Sequence, residues 1–296
     1  ISDEILKSCI ALSYEKMWKQ ELFMDPRSAY TLREMQSTLK RSIQLLRNQV
    51  QRGRFLPQAF EVKLSEIGSL DALNYELSNG DLMHFSGQID RIDTMETDDK
   101  VYVKIIDYKS GSQTLDPARV KAGLQIQILV YMDAALEGQE RSRGKETVPA
   151  AVYLYHVKDQ TVDEKKGDMT EAEIREEVLK AVGRDGLINE DETVLYALDE
   201  HPGGKNSLTS PVYPSKSNRI SEKRFREILG EVRELIQTEG EEIRKGNIQA
   251  MPYRMKDANG CAYCSYHAIC GFDPSLEGYD YRDVDPYVTW KGEEDV

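Results

Sequence analysis

Residues Phe85–Gly111, FSGQIDRIDTMETDDKVYVKIIDYKSG, followed by Gly123–Tyr131, GLQIQILVY, decide how this chain is read. A period of two in Val101, Val103 and Ile105 marks one face of a strand, and Asp107 and Lys109 keep the same parity. They therefore point the same way. A hairpin through Thr94–Lys100, with Asp98-Asp99 at its tip, lays a strand carrying Asp90 beside the strand carrying Asp107. Two carboxylates and one amine then converge. Neighbouring carboxylates repel unless a hard cation lies between them, and Mg²⁺ is commonly held by one or two carboxylates plus water and phosphate oxygens. Such an ion with an ammonium beside it suits hydrolysis of a phosphodiester.

Taken alone, a D-x-K tripeptide also describes a solvated surface hairpin. Its surroundings add the decisive detail. Asp90-Arg91-Ile92-Asp93, Ile105-Ile106-Asp107-Tyr108-Lys109-Ser110-Gly111 and Gln127-x-x-x-Tyr131 together resemble the RecB-like branch of the PD-(D/E)xK nucleases. The resemblance implies that Asp90 and Asp107 are Mg²⁺ ligands, that Lys109 is the catalytic lysine, and that Gln127 and Tyr131 support the active site and the DNA strand. Independently, Gln127 and Tyr131 stand four residues apart and share a helix face, as they would in any amphipathic helix.

Length and charge set the outer limits. With 296 residues, 40% apolar and 31% charged, the composition is that of a soluble globular chain. No apolar run approaches the roughly 18 residues of a membrane span, and no basic-then-apolar leader opens the chain. Residue 1 is Ile, which points to a processed or excised piece of something longer. A net charge of −13 sits awkwardly with nucleic-acid binding, where Lys and Arg supply most of the affinity. Yet Met35–Phe60 holds no Asp or Glu, while Lys40, Arg41, Arg47, Arg52 and Arg54 fall within it. Arg47 and Arg52 are accordingly candidate DNA contacts on a basic helix; a solvated helix face has the same composition.

Along the chain, residues 1–57 read as a helical N-terminal segment. Helices are expected over Ile5–Phe23 and Ala29–Val50, with Leu32, Met35, Leu39, Ile43 and Leu46 on the buried stripe. Gly53 and Pro57 stop the helix, and Ala59–Leu64 begins a catalytic core of sheet and helix spanning 58–160. Glu61 on that strand is either an accessory acid or an exposed glutamate. His84 is either a strand residue near the site or a polar loop group. Gly138–Pro149 reads as a polar loop, and its glycines miss the spacing of a phosphate-binding loop, so ATP hydrolysis is not expected. Ala150–Val157 extends the sheet beside the D-x-K strand. Between 161 and 250, Thr170 and Glu173 form a capping box before a helix, Asp199–Asn218 with His201 is loop, and an amphipathic helix runs from about Ser221 to Lys245.

Residues 251–296 carry the second chemical signal. Cys261-Ala-Tyr-Cys264 and Cys270 place three of the four cysteines within ten residues, at a spacing that lets thiolates share a metal ion or cluster. Zinc with His267 as a fourth ligand is one occupant. PYRMKDANGCAYCSYHAICGFD also resembles the C-terminal cysteine segment of the AddB family of helicase–nuclease subunits, which implies a [4Fe-4S] cluster. In that family the remaining cluster cysteine lies upstream, and the surroundings of Cys9 do not resemble it, so Cys9 reads as an ordinary thiol and the cluster as incomplete here. From Asp273 onward the acidic tail either drapes over the core or lacks order.

The expected fold is therefore an α/β restriction-endonuclease-like core, a mixed sheet flanked by helices, with an N-terminal helical segment and a C-terminal cysteine clasp. By resemblance, the function is Mg²⁺-dependent exonucleolytic cutting of single-stranded DNA from an unwound duplex end, beside a helicase partner of the AddA kind. The setting is bacterial recombinational repair in the cytoplasm. A catalytically silent DNA-holding module braced by the cysteine clasp, or an iron–sulfur redox domain, are the rival classes.

Overall fold

The computed structural model of the chain describes residues 3–16, 26–66, 75–157, 170, 185–200, 218–256 and 258–291. The helix expected after Thr170 and most of the Asp199–Asn218 loop, His201 included, lie outside the described residues. Two helices open the chain, α1 (Asp3–Lys16) and α2 (Pro26–Arg52). Strand β1 (Leu56–Lys63) follows, then a two-stranded ribbon of β2 (Tyr75–Glu76) and β3 (Leu82–Met83). The hairpin of β4 (Gln88–Glu96) and β5 (Lys100–Lys109) comes next, turning tightly at Thr97. Beyond it lie α3 (Pro117–Lys121), α4 (Gln127–Arg143), β6 (Glu146–His156), β7 (Gly186–Asn189), α5 (Glu192–Leu198), β8 (Arg219–Ile220) and α6 (Glu222–Arg244).

The main sheet has the order β1-β4-β5-β6-β7-β8. Pairings at β1/β4, β4/β5 and β6/β7 are antiparallel, and those at β5/β6 and β7/β8 are parallel. The sheet is mixed, as expected. A parallel pair needs a crossover, and α3 and α4 supply it between β5 and β6. Strand β6 is buried from Thr147 to Tyr155, the pattern of a central strand covered on both faces.

Each face has its own core. Val101, Val103 and Ile105 of β5 join Leu129, Met132 and Leu136 of α4 and Phe225, Ile228 and Val232 of α6. Ile106 of β5, with Met95 and Tyr153, packs instead on Phe55, Leu195 and Leu198, with Leu46 of α2 against them. Alternation along one strand thus feeds two cores. Fully buried side chains such as Leu129 and Phe225 each contribute about 1.5–3 kcal/mol through burial. Helix ends follow local chemistry: Asp116 caps α3 ahead of Pro117, Asp191 caps α5 and Ser221 caps α6.

One sequence expectation fails in the crossover. The polar run from Gly138 is not a loop, because α4 continues through it to Arg143 and ends on Gly144 at φ +63°. Its polar residues form an exposed helical face, with Arg141 on Glu137 and Arg143 Nε donating to Gln139 Oε1 at 3.0 Å. Past α6, a small sheet of β9 (Tyr253–Met255), β10 (Ala258–Asn259) and β11 (Arg282–Asp283) holds the C-terminal part, with α7 (His267–Cys270) between. The tail drapes on the core. Trp290 is buried, its carbonyl accepts from Arg224 Nε at 3.0 Å, and Arg282 donates to the Ala122 carbonyl at 3.2 Å.

Candidate active site

The β4–β5 ladder sets the site. Its pairs run from Glu96↔Val101 down to Arg91↔Ile106, and there regular pairing ends. Past that point the Asp90 carboxylate, not a backbone carbonyl, accepts the Tyr108 N–H at 2.7 Å. Asp90 is thereby fixed beside the end of β5. Asp107 is buried, 5% exposed, and its Oδ2 lies 2.7 Å from Lys109 Nζ. Apart from that ion pair, Oδ2 is a buried acceptor with no hydrogen-bond partner. Burial pushes the Asp107 carboxyl above its ordinary range; Lys109 pulls it down, and the charge of Asp90 pushes it up further.

Gln127 opens α4, and its side-chain amide donates to the Tyr131 hydroxyl at 2.8 Å. Tyr131 is buried and reaches across to the residue before Gln88: a Cβ on Gly87 would lie 2.9 Å from its hydroxyl and 3.1 Å from its ring. The helix of the crossover is thus seated directly on the strand that carries Asp90. Gly87 is small because the tyrosine ring occupies its side-chain space.

The second aspartate of DRID has a different job. Asp93 is fully buried, held by Arg91 Nε at 2.6 Å, Arg91 Nη2 at 2.7 Å and Lys104 Nζ at 2.8 Å. Arg91 lies over the Phe60 ring and Lys104 over the Phe55 ring. Burial pulls the Lys104 ammonium down, while Asp93 holds it up. Spacing alone did not separate Asp90 from Asp93; their opposite parity on one strand is the signal that could have done so.

Other candidates fall further out. Arg52 is committed to the fold, its guanidinium gripping the fully buried Asp199 with a shortest contact of 2.7 Å. Its charge is spent there, whereas Arg47 is exposed on α2. Both stand on the helix whose Leu46 packs against the second core, away from α4. Glu61 adopts φ +52°, and its carboxylate contacts the Gln88 side-chain amide. His84 is exposed on the loop between β3 and β4.

Among the described residues no three His, Cys, Asp or Glu side chains gather into a metal-holding group. For Mg²⁺ the residues fit, because two carboxylates suffice when water and phosphate supply the remaining ligands, and Asp107 Oδ2 is a buried acceptor with no hydrogen-bond partner beyond its Lys109 ion pair. For a [4Fe-4S] cluster the C-terminal segment supplies three of the four thiolates needed, and among the described residues they are not gathered into one group. Cys9, Cys261, Cys264 and Cys270 are free thiols; Cys264 and Cys270 are exposed, and His267 is exposed on α7.

Residues 3–271 match the sequence profile of the PD-(D/E)XK nuclease superfamily. The chain is also 33% identical over 260 residues to an ATP-dependent helicase/deoxyribonuclease subunit from Clostridium kluyveri, covering 85% of this chain and 22% of that protein. It is 34% identical over 265 residues to the subunit of the same name from Clostridium tetani, covering 88% and 23%. With the Clostridium acetobutylicum protein the figures are 32% over 276 residues, 92% and 24%. The chain spans about a quarter of the length of these curated relatives.

Two outcomes follow from this geometry. Gly87→Ala should displace Tyr131 and lower the free energy of unfolding by about 1–3 kcal/mol in urea titrations. Gly111→Ala, where nothing lies within 4 Å of the added carbon, should leave it within about 0.5 kcal/mol. The second concerns Asp107. Its raised pKa means that the folded chain holds the proton more tightly than the unfolded chain, so its contribution to stability declines as pH rises from the unfolded value through the folded one. Asp107→Asn should therefore melt at a higher temperature than wild type at pH 7.5 in chelator, with the gap closing below about pH 4. An equal or lower melting temperature at pH 7.5 would show that the ionised carboxylate carries no burden.

Proposed function

This chain belongs to the PD-(D/E)XK nuclease superfamily, and from that premise we propose that it is the nuclease portion of a helicase–nuclease subunit, hydrolysing DNA phosphodiester bonds. The observation that carries the reading is the buried Asp107 carboxylate, with Lys109 on one oxygen and the Asp90 charge acting on it. Unlike Asp93, which two cations hold, Asp107 is a buried acid beside a second carboxylate, an arrangement suited to binding a cation. Asp90 and Asp107 would hold Mg²⁺. When bound, the ion supplies positive charge at the scissile phosphate and makes water a stronger acid.

The chain's own residues do the rest. Tyr108 N–H, by holding Asp90, sets the distance between the two carboxylates before substrate arrives. Lys109, 2.7 Å from Asp107, presents its ammonium to the negative charge that develops on the phosphate. Gln127 orients the Tyr131 hydroxyl, and Tyr131 in turn holds α4 against Gly87, at the start of the strand that leads to Asp90. No step runs through the cysteine segment. A [4Fe-4S] cluster on Cys261, Cys264 and Cys270, if formed in the longer protein, would brace the C-terminal part and not the reaction.

The substrate we infer is single-stranded DNA delivered from an unwound end by a helicase partner of the AddA kind. The name the relatives share, which couples helicase to deoxyribonuclease, supports this. No helix among the described residues is long and apolar enough to cross a membrane. Arg47, exposed on α2, is the remaining basic candidate for a phosphate contact.

Asp107→Ala and Lys109→Ala should each lower Mg²⁺-dependent cutting of a single-stranded oligonucleotide by at least about 100-fold, with circular dichroism unchanged. Cutting that persists in both variants would refute the nuclease assignment; DNA binding without any cutting in wild type would favour the silent holding module. Arg47→Glu should weaken oligonucleotide affinity and reduce the salt dependence by about one unit of slope. If affinity and slope both stay as in wild type, α2 lies off the DNA path.

A further inference from the structure

We propose that His156 and Asp185 are positioning residues, which together clamp the uncharged Ser110–Thr114 loop so that the substrate strand is seated beside Lys109. The inference rests on the nuclease reading and adds two residues to it.

After Lys109 the chain leaves the sheet as Ser110-Gly111-Ser112-Gln113-Thr114, all five exposed. A loop with so little burial is ordinarily soft. This one is tied at both ends to a single carboxylate. Asp185 Oδ1 accepts the Leu115 N–H at 3.0 Å, and Asp185 Oδ2 lies 3.2 Å from His156 Nε2. The other ring nitrogen, His156 Nδ1, lies 2.6 Å from the Gly111 carbonyl oxygen. Both imidazole nitrogens therefore face acceptors, one at each end of the link, and the carboxylate fixes the ring's orientation as it does behind many working histidines.

The clamp is also continuous with the lysine. In the parallel β5/β6 pair His156 is the register partner of Lys109, and Val157 N–H donates to the Lys109 carbonyl at 2.9 Å. Asp185 is placed by its own backbone, whose carbonyl accepts from Leu154 N–H at 3.2 Å. The glycine after it is required: Gly186 sits at φ +153°, and a Cβ there would stand 2.1 Å from the Val152 carbonyl oxygen. The His156 and Asp185 side chains are 11% and 14% exposed, so water competes little for their contact. At the far end, Gln125 accepts from Asp116 N–H at 2.9 Å and donates to the Thr114 carbonyl at 3.0 Å, which joins the loop to the start of α4 and Gln127.

Charge supplies the reason to hold this loop. The chain carries a net charge of −13, and polyanionic DNA must approach two carboxylates. Five consecutive neutral polar residues directly after the lysine offer hydroxyls, an amide and backbone N–H groups to a phosphate, with no repelling side chain. A loop that wandered would leave the phosphate misplaced against Lys109, and small displacements of that kind cost catalysis more than binding.

The test compares His156→Ala, the nearly isosteric Asp185→Asn and the double variant in the intact protein, with Lys109→Ala as control. Single-turnover cutting of a labelled single-stranded oligonucleotide is measured against oligonucleotide concentration, beside melting temperature. Each single variant should lower the maximal rate about 10- to 100-fold, with half-saturation moving less than about threefold. The double variant should be no slower than the slower single, because both residues act through one clamp. Wild-type rates, multiplying losses in the double variant, or losses that track a fall in melting temperature would each overturn the proposal. If Lys109→Ala abolishes cutting while the clamp variants cut normally, this inference alone fails. If Lys109→Ala still cuts, the nuclease reading fails and takes the clamp with it.

Discussion

A slip of one residue between β4 and β5 would exchange the two faces of the hairpin and carry Asp107 and Lys109 away from Asp90. The knot of Asp93 with Arg91 and Lys104 opposes that slip. Asp93 and Lys104 are directly opposed in the ladder, and Arg91 reaches the same carboxylate from two positions away on its own strand. Three charges in an apolar setting are tolerable only in the register that brings them together; removing one partner from such a buried set costs about 3–5 kcal/mol. The knot is thus a register lock. The geometry of the candidate site, the seat of α4 on Gly87 and the loop after Lys109 are all downstream of it.

Against that lock stands a group the fold holds at a cost. Asp107 is buried and in range of a second negative charge, and among the described residues Lys109 is the cation that relieves it. Opposite faces of one strand pair therefore show opposite electrostatic solutions. Asp93 is fully neutralised and contributes to architecture, while Asp107 is left under-satisfied and can gain by binding a cation. The difference between Asp93 and Asp107 lies in their partners, not in depth, since both are buried.

Much of this was legible in the residues themselves. The parity of Val101, Val103, Ile105, Asp107 and Lys109 is the parity of the structure, the hairpin closes where expected, and β6 lies beside β5 with Asp107 opposite Leu154. Local periodicity encodes such features directly. What spacing could not give was the identity of distant partners: Asp199 for Arg52, Tyr131 for Gly87, Asp185 for His156. Helix α4 was read too short because a solvent-facing helical surface and a loop share the same polar vocabulary when a glycine sits in the run. The cysteine spacing announced a ligand set, and the three thiols are not drawn together in the folded chain.

Strand β1 borders the main sheet on one side, with no further neighbour in the strand order among the described residues. Pro57 lacks an amide hydrogen, the pairing with β4 shifts between Pro57 and Ala59, and Glu61 twists the backbone through φ +52°. Lys63 ends the strand with a charge. Each departure spoils the flat ladder of donors and acceptors that another chain's strand would need for docking. The irregular border is a guard against self-assembly into sheets, so straightening it would make the protein prone to aggregate.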